Sequence, residues 1–250
     1  MLADIAWPGA GLLAFSALAF LLGGVVKGTL GIGLPLVAVP LLTLGWPAGQ
    51  AIALMSVPVI LSNIWQAWDS GISWPGVRRF LPLIVTLLLS TLLTVPMTLA
   101  LSEQTLRTVL ALVVLLAVTL NALPLRLDVP PARERWWSMA IGTISGVMGG
   151  VSALTGPVII SYLVSLRLAR DVFVGSISVI YLAGAVPLYG SMAVQGRFTL
   201  REVLLSGLAL LPMALGLALG KRLRGHLSEV LFRRVLLGFL VFVALMLIFK

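Results

Sequence analysis

Lys27 is the residue whose type and placement most clearly invite chemistry. It lies inside an apolar run predicted as a helix over 9–28, directly before the glycine-rich stretch Gly28-Thr29-Leu30-Gly31-Ile32-Gly33-Leu34-Pro35. An ionisable group inside an apolar segment is a functional position by default, and no acidic residue lies nearby in sequence to neutralise this one. The bland alternative is a stem that snorkels to an interface, because Lys27 sits near the segment's end. A second stretch has the same character: Gly146-Val-Met-Gly149-Gly150-Val-Ser152-Ala-Leu-Thr155-Gly156-Pro157. Glycine lets backbone approach a ligand closely. Pro35 and Pro157 suit the first turn of a following helix. The free N–H groups and positive end of that helix then face the break, which favours an anion.

The expected binding residues are therefore Lys27, Gly28, Thr29, Gly31, Gly33 and Pro35 in the first stretch. In the second they are Gly149, Gly150, Ser152, Thr155, Gly156 and Pro157, with Ser152 and Thr155 supplying hydroxyl donors. Ser56 and Ser178 join them, because setting Pro35 against Pro157 also aligns these two serines. Asn63, Tyr162 and Tyr181 are further polar groups in apolar runs. Serine in a membrane helix often bonds its own carbonyls instead, and small residues also serve tight helix packing. The second-half counterpart of Lys27 is expected at Ser145, which makes the site asymmetric in charge.

All eight acidic residues (Asp4, Asp69, Glu103, Asp128, Glu134, Asp171, Glu202 and Glu229) fall at segment ends or in loops. No mid-membrane carboxylate is available to hold a metal or relay a proton. With no cysteine, disulfides and thiolate sites are excluded. His226, the single histidine, sits in a basic loop and is given no role. An enzyme acting on lipid would need histidine, cysteine or paired carboxylates. No cofactor and no catalytic residue is expected.

These residues must be held by membrane helices. The chain is 60% hydrophobic and 10% charged, whereas a soluble domain carries roughly 25% charged residues. Uncharged runs of about 18 residues or more read as spans. The fold class expected is all-α and polytopic, with two repeats of five segments. They run over 9–28, 34–45, 50–68, 77–100 and 104–123, then 137–149, 157–166, 171–192, 199–222 and 228–249. Leu101-Ser-Glu-Gln-Thr-Leu-Arg107 matches Leu227-Ser-Glu-Val-Leu-Phe-Arg233, and each reads as a helix start. The halves divide near Leu125, as 1–124 and 125–250, forming one integral transport domain. Segments 137–149 and 157–166 are about 20 and 15 Å long at 1.5 Å per residue. Neither crosses a core of roughly 30 Å alone, so each opening pair is a broken span or a hairpin that turns back.

Loop charge separates the two possibilities. Arg78, Arg79, Arg126, Arg133, Arg135, Arg167, Arg170, Lys221, Arg222, Arg224, Arg233 and Arg234 share one face if each pair turns back. Arg107, Arg197, Arg201 and Lys250 take the other. A single broken span per pair would divide the charges evenly. The Lys/Arg excess marks the cytoplasmic side, so the pairs are expected to turn back. Both termini are then outside, and the halves are inverted. The net charge of +9 belongs to these loops rather than to a nucleic-acid surface. Trp65, Trp68, Trp74, Trp136 and Trp137 fall near segment ends, as interfacial anchors do. Asp4 is the single charge before the first apolar run, so a cleaved signal is not expected.

Gly24-Val-Val-Lys-Gly-Thr-Leu-Gly-Ile-Gly-Leu-Pro-Leu-Val-Ala-Val-Pro40 resembles the first signature of the TauE/SafE sulfite exporter family. Gly146-Val-Met-Gly-Gly with Thr155-Gly-Pro157 is similar to the second. The resemblance covers nearly the whole chain. It implies a secondary transporter of small sulfur-containing anions such as sulfite, sulfoacetate or related sulfonates, in a bacterial inner membrane. Ile32 and Leu34 stand where glycine is common in the family. The partners expected are a small anionic substrate and the lipid bilayer, with no nucleic acid; a homodimer is one arrangement open to such a chain. The alternatives are a carrier of another small solute or metal ion, or a membrane assembly protein. An interior-negative potential favours anion export, by about 2.3 kcal/mol per charge at 100 mV.

Overall fold

A computed structural model of the chain describes residues 7–123, 129–223, 226 and 228–249. Asp4, Leu125, Arg126, Asp128, Arg224, Leu227 and Lys250 lie outside the described residues. Every regular element described is helical. The first half holds α1 (Ala10–Leu30), α2 (Leu34–Gly45), α3 (Ala48–Ala53), α4 (Ser56–Asp69), α5 (Trp74–Arg79), α6 (Leu81–Leu99) and α7 (Glu103–Ala122). The second holds α8 (Glu134–Ser152), α9 (Gly156–Ser165), α10 (Arg170–Val194), α11 (Leu200–Leu208), α12 (Leu210–Leu223) and α13 (Glu229–Phe249). Seven stretches are long and apolar enough to cross a membrane: α1, α3 with α4, α6, α7, α10, α11 with α12, and α13. The protein is a multi-pass membrane protein.

Three of the expected segments are subdivided. The run expected over 50–68 breaks between α3 and α4 at Leu54 and Met55. The run over 199–222 breaks between α11 and α12 at Ala209. The run over 77–100 is shortened to α6, because α5 forms a separate turn that ends at Arg79. The segment expected over 137–149 is longer: α8 has 19 residues, about 28 Å at 1.5 Å per residue. Glu134 and Arg135 extend it beyond the apolar run, so the length argument against a span does not hold for α8.

The opening pair of the first half turns back. Gly23 of α1 lies against Leu34 and Ala38 of α2, and Gly45 at the far end of α2 lies against Leu12 and Phe15. These helices are therefore antiparallel neighbours. In the second pair, Ser138 near the start of α8 bonds the Tyr162 hydroxyl of α9 at 2.6 Å, so α9 also returns along its partner. The Ser102 start of α7 is capped as expected, its hydroxyl accepting from the Thr105 N–H at 3.1 Å. Thr199 and Glu202 form a reciprocal capping box at the start of α11.

Glycine builds the longest contacts. Gly24 and Gly28 of α1 face Gly216 and Gly220 of α12, and a Cβ on any of the four would collide with backbone of the other helix. Gly142, Gly146 and Gly150 of α8 face α6 in the same way, at the levels of Thr86, Ser90 and Thr94. Lipid tails are as apolar as leucine side chains, so close backbone approach and van der Waals contact must hold such helices together. Both pairs run parallel, since residue numbers rise together along each contact.

Candidate functional site

The two turns between helix pairs begin alike and end differently, with Gly33 left-handed at φ 100° before α2 and Thr155 at φ −75° before α9. Gly31 closes α1 in the left-handed region at φ 82°, and its N–H donates to the Lys27 carbonyl at 2.8 Å. Ala153 closes α8 at φ 59°, and its N–H donates to the Gly149 carbonyl at 2.7 Å. The spacing is the one that aligns Pro35 with Pro157. The structural counterpart of Lys27 is therefore Gly149, not Ser145; Ser145 is buried, with no partner for its hydroxyl. The charge asymmetry remains, with a lysine on one side and a bare backbone on the other.

Both turns line one cavity of about 450 Å³. Of the residues expected at the site, Lys27, Gly31, Gly33, Pro35, Gly149, Thr155, Gly156 and Pro157 are in its wall. Lys27 is 5% exposed. Its ammonium donates to the Ser62 hydroxyl of α4 at 2.8 Å. Among the described residues no carboxylate forms an ion pair with it. The first helical turns of α2 and α9 carry proline and receive no side-chain cap. Thr155 packs its methyl toward the position a Cβ on Gly149 would take, so the second turn is tighter than the first.

Six expected residues lie elsewhere. Gly28 and Gly150 are helix-contact glycines, against α12 and α6 respectively. The Thr29 hydroxyl donates to the Val25 carbonyl at 2.8 Å and to the Gly220 carbonyl at 3.3 Å, which pins α1 to α12. Ser152 bonds the Met148 carbonyl and accepts from the Leu154 N–H, which holds the second turn. Ser178 returns its proton to the Val174 carbonyl at 2.7 Å. Ser56 meets Ser206 of α11 at 3.2 Å. None of the six lines the cavity.

Other polar groups do line it. Gln66 reaches the Gly31 carbonyl at 3.4 Å, and Asn63 and Tyr181 are also in the wall. Ser62, Asn63 and Gln66 share one face of α4 by their three- and four-residue spacing. That period was the available signal for Gln66. Arg233, at the start of α13, completes the wall and donates to the Asn121 carbonyl at the end of α7. Tertiary folding alone brings it there. The remaining wall is mostly apolar, with Leu30, Ile32, Leu34, Leu154, Ile160 and Leu188 among its residues.

The cavity reaches the end of the helices that is rich in lysine and arginine, where Gln66, Asn121 and Arg233 line it, while the second turn lies deeper, with Gly150 level with Thr94 of α6. Gly28 is level with Lys221 at the end of α12. Gln66 is one turn before α4 ends at Asp69. Trp65, Trp68, Trp74 and Trp136 are exposed, and Trp137 is half-buried. On the same face, Arg79 makes a two-pronged contact with Glu134 at 2.6 and 2.9 Å, joining the halves. That hydrogen bond raises the Arg79 guanidinium above its ordinary value.

No curated protein and no solved structure matches the chain. Residues 16–247 match the family model described as Sulfite exporter TauE/SafE. With nearly every helix inside that match, this chain belongs to the TauE/SafE sulfite exporter family.

Proposed function

We propose that the chain is a secondary transporter that exports a small sulfur-containing anion, an organosulfonate in preference to sulfite, across a bacterial inner membrane. The observation that carries this reading is Lys27: a buried cation, lacking a carboxylate partner among the described residues, in a cavity lined by both turns. Leaving a charge so buried is costly unless a ligand completes it. An anion at the ammonium would also receive N–H groups from the uncapped starts of α2 and α9. The ligand set is Lys27, Gly31, Gly33, Gly149, Thr155 and Gly156, with Gln66, Asn63 and Tyr181 added from α4 and α10. A volume of about 450 Å³ falls in the range that holds organic ligands. Sulfite, with four heavy atoms, fills little of it, and the apolar wall offers sulfite no hydrogen bonds.

The halves act as inverted repeats divided near Leu125. Two kinds of contact support this. First, α1 packs along α12 while its counterpart α8 packs along α6, so the pairings exchange between halves. Second, counterparts that meet run antiparallel: Gly175 near the start of α10 lies against Ser70 and Ile72 beyond the end of α4. Arg233 at the start of α13 meets Asn121 at the end of α7. Inverted repeats with a site at paired breaks serve alternating access. The Lys/Arg-rich end is cytoplasmic, so the cavity faces inward and both termini are outside.

Counterflow in proteoliposomes tests the reading. Vesicles preloaded with sulfoacetate should take up labelled sulfoacetate faster than sulfite, and sulfate and chloride should exchange at background. Equal background rates for all four anions would count against it.

A further inference from the structure

Ser206 occupies a position that the cavity does not explain. It comes from α11, in the second half, and is fully buried. It is inserted at the interruption between α3 and α4, in the first half. Its hydroxyl donates to the Leu54 carbonyl at 2.7 Å. The same oxygen accepts from the Val57 N–H at 3.0 Å and lies 3.2 Å from the Ser56 hydroxyl. One side chain thus satisfies a carbonyl and an N–H that the helix break frees on either side. The break has a local cause: Pro58 has no N–H to return to the Leu54 carbonyl, and its ring crowds that carbonyl. Straightening the helix would leave the Leu54 carbonyl without a donor, and Ser206, from the other half, supplies the hydrogen bond that Pro58 cannot.

The knot also has a meaningful location. It stands at the start of α4, and Ser62 and Gln66, which hold Lys27 and the Gly31 carbonyl, stand one to three turns further along the same helix. The cavity lies on the far side of the knot from the α3 end. Above the knot, Glu103 accepts from the Ala48 N–H at 2.8 Å, tying down the start of α3. A buried hydroxyl network is worth about 1 kcal/mol per hydrogen bond net when water can replace it. It is therefore a contact that can be exchanged for water as two halves separate, unlike an interlocked glycine seam.

We propose that Ser206, with Leu54, Ser56 and Val57, is the outer closure of the transport path. It is a positioning residue that must release α4 for the cavity to open outward. The proposal rests on the inward-facing reading of the cavity. Transport would then proceed by parting α11 from the α3–α4 break while α1 stays seamed to α12.

The chain has no cysteine, so a double variant S56C/S206C carries a single thiol pair. Oxidation should join the pair and lower sulfoacetate counterflow at least tenfold, and a reductant should restore it. Undiminished flux with the disulfide complete by mass would overturn the closure. No flux even in the reduced protein and the unmodified chain would count instead against the sulfonate reading. The single variant S206C decides the matter independently of any substrate. A membrane-impermeant maleimide applied from the α3 side of sealed vesicles should label it slowly as the closure opens. Labelling should stop in the cold, where the closure no longer opens. No labelling over many hours at growth temperature would overturn the proposal.

Discussion

Lys27 and Gly149 occupy equivalent places in the last turns of α1 and α8, yet one carries a charge and the other carries nothing. On the proposed reading, the anion is gripped mainly from the first half, and the second half faces it with backbone and Thr155. Ser62 orients the ammonium without neutralising it. Ser62→Ala should raise the KM for sulfoacetate a few-fold and leave the maximal rate near normal, measured by initial-rate uptake. Unchanged KM would remove Ser62 from the site. The two turns also differ in strain. Alanine at φ 59° tolerates a left-handed backbone poorly, at a cost of roughly 1–2 kcal/mol. Ala153→Gly should raise the melting temperature in detergent, and Gly31→Ala, at φ 82°, should lower it. The opposite pair of shifts would contradict the turn geometry. Sequence spacing was enough to mark both turns, because proline and glycine are chemically explicit. It could not separate Gly28 from Gly31, since one residue type serves helix contact and turn alike.

At the scale of elements, the glycine seams and the turns must be distinguished by what substitution does. Gly24→Val or Gly216→Val should destabilise the fold by about 1–3 kcal/mol through overpacking, because each added Cβ meets backbone of the partner helix. Folded yield and flux should fall together, as size-exclusion profiles beside uptake would show. Gly31 has open space around it, so its variants should lose less yield. The helices themselves were legible from apolar run length, and α2 was legible to the residue. The breaks at Leu54 and Ala209 also have local signals, Pro58 four residues after the first and Gly207 and Pro212 on either side of the second, which the long apolar runs overshadowed. What local sequence does not encode is the partner at the first break, Ser206, which comes from the other half. Gln66 was missed for a related reason: it is near an interface by hydropathy, and its tie to Gly31 exists once α4 has packed.

For the whole molecule, the proposed orientation rests on the distribution of charge. Twelve of the loop cations were assigned to one face, and the described ones cluster at the tryptophan-rich end that also holds the cavity mouth. A reporter active outside the cytoplasm should therefore work when fused after residue 250, and one fused between α7 and α8 should not. The reverse pattern would turn the cavity outward. The central claim is that both turns and Lys27 form one anion site. Its most direct test is sulfoacetate counterflow through Lys27→Ala beside the unmodified chain, in proteoliposomes matched for folded protein. The account predicts at least a tenfold loss of flux with an unchanged melting profile. Equal flux in the two proteins would contradict it.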